Sequence, residues 1–162
     1  MTVAFPHPMN SFTCDADTLS ALLVSLLDVP CPSSGDSLWT ARTVRLIRVT
    51  APVLAWVRDH EGVPLHMEQI YCACELRSMV LLSTRKLFRV RDWGTCTVRE
   101  APVPDIPEAL LQPLQAYLDG LPGFDPAAPY EAQGAQAHEQ HSYATFFLAQ
   151  VCFRAGTAGT EA

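Results

Sequence analysis

The chain has 162 residues, of which 49% are apolar and 17% are charged, and its net charge is −6 at pH 7. This length and this composition suit one folded domain with a hydrophobic core, and they exclude an intrinsically disordered chain. The acidic balance argues against a uniformly basic nucleic-acid binder.

The apolar residues recur at helical spacing, which predicts an all-α fold: a single compact domain of about five helices. Residues 1–14 read as an extended lead-in, residues 15–154 as the helical domain and residues 155–162 as a flexible tail. The first helix follows Asp15 or Asp17, either of which can cap it, and it carries one leucine stripe. That stripe consists of Leu19, Leu22, Leu23, Leu26 and Leu27.

A second helix is predicted to begin after Asp36 or Ser37, and it is apolar on two neighbouring faces, which places it at the centre of the fold. Pro52 lies inside this helix and predicts a kink, because its ring crowds the preceding turn and it lacks an N–H donor. Gly62 suits the left-handed residue that ends a helix. A third helix is predicted roughly from Met67 to Phe88, and the close of that helix is basic.

The remaining third of the chain predicts two more helices after a linker. The stretch from Trp93 to Pro107 reads as that linker because it contains Gly94 and three prolines. A fourth helix is predicted from about Pro107 to Asp119, and a fifth from about Tyr130 to Phe153. No segment of the sequence predicts a β-strand.

The sequence also predicts a cellular compartment. The first nine residues carry neither the cationic nor the apolar segment of a secretory signal, and no apolar run reaches the roughly 20 residues that span a bilayer. We therefore expect a cytoplasmic protein with no direct membrane span. In a reducing cytosol its 6 cysteines are expected to be free and mostly buried.

Positive charge is concentrated in the middle of the chain. Ten of the 11 Lys and Arg residues lie between Arg42 and Arg99, where five acids leave a balance of +5, whereas the flanks together carry −11. Arginines beside an aromatic side chain suit phosphate contact and base stacking, so they predict contact with DNA or an acidic partner. The other interpretation is a solvated helix end with internal ion pairs. The candidate contact residues are Arg42, Arg45, Arg48, Arg85, Lys86, Arg89, Arg91 and Trp93.

No motif in the sequence specifies a catalytic or metal site. Cys72 and Cys74 would point about 200° apart on one helix, so they cannot chelate one ion there and are better read as buried apolar residues. His138 and His141 can share a helix face but lack further ligands, which favours a solvated or interface face. A small helical metal-binding protein or enzyme that uses these two histidines is the alternative hypothesis. Because no phosphate-binding loop occurs either, we expect no cofactor and no enzymatic activity.

Several segments together resemble a known family. Phe12 to Asp28 resembles its first helix, and Trp39 to Arg42 with Pro52 to Leu65 resembles its second helix and the turn that follows. Leu118 to Asp125 resembles a YL-x-x-LPGYD turn, and Glu139 to Ala144 resembles a QHGY helix start. These segments occur in this order in coupling ATPases of conjugative and type IVB secretion systems, in the IcmO/DotL and plasmid TrbC-like branch.

The resemblance implies a helical region of a hexameric ATPase that is anchored in the inner membrane and delivers DNA or protein to a secretion channel. In that family the helical region faces the cytosol and meets cargo, relaxosome or adaptor proteins. The family's ATP-binding loop, Mg-binding strand and membrane helices have no counterpart in this sequence. We therefore expect a fragment or detached domain that recognises DNA, relaxosome, adaptor or effector proteins. The remainder of a coupling ATPase is another expected partner. An inactive remnant of a coupling protein is a further interpretation.

Overall fold

A computed structural model describes residues 12–27, 36–92 and 95–158, with the backbone alone at 36–37 and 151–158. The described chain is mostly helical and folds around one core, which confirms the predicted all-α class. The predicted lead-in lies largely outside the described residues, and in the predicted tail the backbone of residues 155–158 continues helix α6 while 159–162 lie outside the described residues. In chain order the elements are α1 (Ala16–Ser25), α2 (Asp36–Glu61), α3 (Met67–Cys74), α4 (Leu76–Arg85), β1 (Leu87–Arg91), β2 (Val98–Pro102), α5 (Glu108–Asp119), a 3-10 turn (Tyr130–Ala132) and α6 (Ala135–Ala158).

Helix α2 is the centre of the fold, as the sequence predicts. It contacts α1, α3, α5 and α6, and its residues Leu46, Ile47 and Leu54 are fully buried. The helix continues through Pro52, and it ends at Glu61, directly before Gly62, whose φ of +68° is the left-handed conformation that glycine adopts without strain. A single long helix therefore supplies one wall of the core to four neighbours.

The first helix also follows its sequence signals. The Asp15 side chain accepts a hydrogen bond from the backbone N–H of Thr18 at 2.8 Å, which caps α1 as predicted. Leu19 and Leu23 are buried against α2, whereas Leu22 is 39% exposed. The buried stripe is thus narrower than the five leucines that the sequence indicates.

The predicted third helix is wrong in its length. It breaks at Glu75, whose extended backbone (φ −65°, ψ 144°) separates α3 from α4. Helix α4 ends at Arg85, because Lys86 takes the left-handed conformation with φ +50°. Phe88, the predicted end of the helix, lies instead in strand β1.

Strands β1 and β2 form an antiparallel hairpin in a region where the sequence predicts a helix end and a linker. Leu87 pairs with Pro102 and Arg91 pairs with Val98. Within β1, Phe88 and Val90 are buried while Leu87, Arg89 and Arg91 are only partly buried, which is the period-two pattern of a strand with one face in the core. Five residues are too few for that alternation to outweigh the helical pattern that precedes it.

The last two helices agree with the sequence except at the start of α6. Helix α5 occupies Glu108–Asp119, close to its predicted bounds. The predicted fifth helix is interrupted at its start, because a 3-10 turn and an extended Gln133 precede α6. The Gln133 side chain donates to the carbonyls of Asp125 and Ala128 at 2.7 and 2.9 Å and accepts from the Asp125 N–H at 3.0 Å, and these bonds close the loop between α5 and α6.

In the described parts of the chain, no helix has both the length and the apolarity needed to cross a bilayer.

Candidate functional site

The densest predicted group of basic residues is partly engaged in ion pairs. Arg89 Nη1 lies 2.6 Å from Glu75 Oε2, and Arg91 Nε lies 3.0 Å from Glu68 Oε2. Between them, the buried Gln69 side chain donates to the Arg89 carbonyl and accepts from the Arg91 N–H. The Arg89 side chain is only 15% exposed. These two arginines therefore fasten the hairpin to α3 and α4, in agreement with the ion-pair interpretation.

The other described members of this basic group, Arg85 and Lys86, do not form one continuous surface with Arg89 and Arg91. Arg85 is exposed at the end of α4, on a cleft of about 120 Å³ beside Tyr130. Lys86 Nζ donates to the Pro104 carbonyl at 3.4 Å. Trp93, the aromatic partner that the sequence suggests, lies outside the described residues.

The three arginines of α2 reach toward three different helices. Arg42 Nη1 donates to the Gln140 side chain of α6 at 2.7 Å, and Arg45 Nη2 donates to the Ala116 carbonyl of α5 at 3.2 Å. Arg48 is exposed and lines a broad cleft of about 600 Å³ against α1. The predicted cationic flank exists, but two of its three members also connect helices.

An aromatic surface, which is not among the predictions from the sequence, adjoins this flank at the start of α2. The rings of Trp39 and Tyr143 lie 4.5 Å apart, and the Arg42 guanidinium lies 5.1 Å from the Trp39 ring centroid. Leu38 is 62% exposed, Phe146 59% and Tyr143 39%. We call Leu38, Trp39, Tyr143 and Phe146 the aromatic surface. One sequence signal for it exists, because Tyr143 and Phe146 fall outside the apolar stripe that α6 buries.

His141 lies in the core, where it joins α6 to two other helices. It is 3% exposed, and its Nε2 lies 2.8 Å from the Cys74 carbonyl while its Nδ1 lies 3.1 Å from the Tyr117 hydroxyl. A carbonyl only accepts, so Nε2 carries the proton and Tyr117 donates to Nδ1. Burial lowers the pKa of His141 to about 4 and raises that of Tyr117 well above its usual range. The prediction of a solvated or interface face is wrong for this histidine.

The Cys74 carbonyl explains why a histidine is buried at this point. Cys74 is the last residue of α3, where the intrahelical hydrogen bonds run out and a carbonyl needs another partner. His141 supplies that partner from α6. Cys72 and Cys74 follow their predicted apolar role because both are buried, and burial raises the pKa of the Cys72 thiol, whereas Cys14 is half-buried and Cys96 is exposed.

His138 lies at a polar cleft of about 380 Å³ between α4 and α6. Its ring contacts Tyr130 edge-on at 5.1 Å, and Arg77 lies 5.8 Å from the same tyrosine ring. Over the described ranges, no three His, Cys, Asp or Glu side chains converge as metal ligands. Because both ring nitrogens of His141 already bond to protein groups, this geometry does not favour a metal site on the histidine pair.

Comparison with known proteins shows that the chain has a distant relative. No protein-family model matches it. It is similar to the Type 4 coupling protein DotL of Legionella pneumophila subsp. pneumophila strain Philadelphia 1, with 26% identity over 130 residues. The match covers 80% of this chain but only 16% of that protein, so the chain spans less than a fifth of its relative. The similarity agrees with the ordered motifs and indicates a relation to type IV coupling proteins.

Proposed function

We propose that this chain is a non-enzymatic recognition domain of a type IV secretion or conjugation coupling system, and that it binds a partner protein on the cytoplasmic side. The observation that carries the proposal is the similarity to DotL, which extends over 80% of the chain and therefore over most of the helical unit. A unit of this size with one core can act as a separate binding module within a larger protein.

The distribution of polar groups supports binding rather than catalysis. The most perturbed titratable groups, His141 and Tyr117, are buried and bond to each other and to a backbone carbonyl. A general acid or base needs a nitrogen or oxygen that can exchange a proton with a substrate, whereas both ring nitrogens of His141 and the Tyr117 hydroxyl already bond to protein groups. The aromatic surface, in contrast, exposes side chains of the types that dominate protein interfaces.

A protein partner is favoured over DNA by the placement of the arginines. Arg89 and Arg91 are paired with acids, and Arg42 and Arg45 bond to neighbouring helices. Phosphate recognition along a strand needs several cations on one track, whereas the exposed cations of the predicted set are divided between α2, which carries Arg45 and Arg48, and the end of α4, which carries Arg85. The net charge of −6 also opposes DNA binding.

Crosslinking in the source cell tests the proposal. A tagged chain, crosslinked in vivo and purified under denaturing conditions, should retain a coupling ATPase or another protein of the secretion system, identified by mass spectrometry. Absence of every secretion-system protein above the untagged control contradicts the proposed function.

A DNA titration separates the two kinds of partner. Binding of labelled oligo-dT of about 30 nucleotides should be weak, and Arg45→Ala with Arg48→Ala should change it by less than about twofold. An affinity that falls steeply with salt, with a slope that the double variant reduces, would instead assign the domain to DNA.

A further inference from the structure

The aromatic surface places large apolar side chains where folding does not bury them. We propose that it is the docking site for an amphipathic helix of a partner protein, one that presents apolar anchors flanked by acidic residues. The inference rests on the proposed function only in that the domain is a binding module. Leu38 and Phe146 are 62% and 59% exposed, the two largest values among the exposed large hydrophobic residues of the described chain. Such patches mark interaction sites.

The base of the aromatic surface is held rigidly by bonds between α2 and α6. Thr43 Oγ1 lies 2.9 Å from the Trp39 carbonyl and 3.2 Å from the Ala144 carbonyl, to which it can donate across the two helices. Arg42 connects α2 to Gln140 of α6 while it covers one part of the Trp39 ring. The Trp39 ring, which already contacts Tyr143 and Arg42, has less conformational entropy to lose on binding, which favours affinity.

The charge beside the aromatic surface selects an acidic partner. Leu38, Arg42 and Arg45 lie at i, i+4 and i+7 of α2 and therefore share one stripe. Arg45 is exposed, and its hydrogen bond to the Ala116 carbonyl uses one of the five N–H donors of a guanidinium, which leaves donors for a partner among the contacts of the described residues. On the α6 side the Tyr143 hydroxyl donates to the Glu139 carboxylate at 3.3 Å, so the positive charge is confined to the α2 side of the surface, where Arg42 and Arg45 lie. A carboxylate next to the apolar anchors of a partner would complement it.

The backbone around the aromatic surface favours a helical partner over an extended one. Both halves of the surface lie on α-helices, whose backbone groups bond internally and offer no edge to an added strand. A helix needs no such edge, because it satisfies its own backbone and presents side chains at i, i+3, i+4 and i+7. A second copy of this chain that docked through the same surface would present its own Arg42 and Arg45 instead of the acidic residues that this flank favours.

A display library provides a direct test with the whole chain. The probe is a set of helical peptides of about 18 residues with fixed apolar residues at i, i+3, i+4 and i+7 and random flanking positions. Selected peptides should carry more Asp and Glu than Lys and Arg at the flanks. Their affinity, measured by fluorescence anisotropy, should fall at least about tenfold in Leu38→Ser with Phe146→Ser. The matched control Leu22→Ser alters an exposed leucine of α1 and should change affinity less than about twofold.

The substituted side chains are exposed, so the variants should keep the unfolding midpoint of the parent chain. Four results would overturn the proposal: no peptide is enriched, the flanks show no acidic preference, binding survives the double serine variant, or Leu22→Ser weakens it equally. A dimer in sedimentation that dissociates in Phe146→Ser would assign the surface to a second copy. Oligo-dT binding that is lost in the same variant would assign it to DNA.

Discussion

Acidification should destabilise this domain through His141. The imidazole is 3% exposed, and burial holds its folded-state pKa at about 4. In the unfolded chain the pKa returns to about 6.5. Between these two values the unfolded state binds a proton that the folded state excludes, so the free energy of unfolding falls as the pH falls from about 6.5 to about 4.

The size of the effect follows from the difference between the two pKa values. Each pKa unit corresponds to about 1.4 kcal/mol, so the full loss approaches about 3 kcal/mol below pH 4. At about pH 5 the loss should be about 2 kcal/mol, a large share of the stability of a small domain. Burial also lowers the pKa of His66, which adds a contribution of the same sign.

Urea unfolding followed by circular dichroism at several values between about pH 7.5 and about pH 5 measures this dependence. His141→Gln removes the titration while a side-chain amide can still donate to Cys74 and accept from Tyr117. The variant should be less stable at neutral pH. Between about pH 7.5 and about pH 5 its free energy of unfolding should fall by about 2 kcal/mol less than that of the parent chain. Tyr117→Phe keeps the imidazole and should keep the dependence. Equal pH dependence in the parent and His141→Gln would refute the argument.

Three further predictions test the fold. Gly62→Ala should lower the free energy of unfolding by about 1 kcal/mol, because of its φ of +68° alone. Gly123→Ala should lower it by about 1 kcal/mol more, because a Cβ there lies 2.9 Å from Gln136 Cβ. Equal urea midpoints for the two variants would contradict this. Arg58 Nη1 donates to the Cys14 carbonyl at 2.6 Å, so Arg58→Ala should speed amide exchange just before α1 at least about tenfold, and unchanged exchange would exclude this anchoring role. Treatment with EDTA should leave the unfolding midpoint unchanged, and a stoichiometric metal in elemental analysis would contradict the role given to the buried histidine.

The sequence predicts the elements that are defined by their own residues. Helices α1, α2 and α5 have an apolar period of 3.6 and clear ends, so their bounds follow from local signals. The break at Glu75 has no glycine or proline to announce it. It depends on side chains from the neighbouring helices, since Ser78 of α4 donates to the Cys72 carbonyl and His141 of α6 donates to that of Cys74. Such a break needs the tertiary structure.

The candidate site was predictable only in part, for a related reason. The spacing of Arg42 and Arg45 along the predicted second helix places them on one flank of α2, and both residues lie on α2 in the structure. What each arginine bonds to depends on which helix packs nearby, as with Arg89 and its partner Glu75. The contact between Trp39 and an aromatic residue about a hundred positions later could not be read from either segment alone.

The two halves of α2 differ in a way that links folding to the proposed binding role. From Val49 to Val57 no residue is exposed, because neighbouring helices cover this half on several sides. In the first half, Leu38, Arg45 and Arg48 are exposed. A large apolar side chain such as Leu38 contributes little to stability when it faces solvent, and a polar residue there would improve solubility. Its presence beside a fixed aromatic pair is therefore better explained by a partner that covers it than by folding.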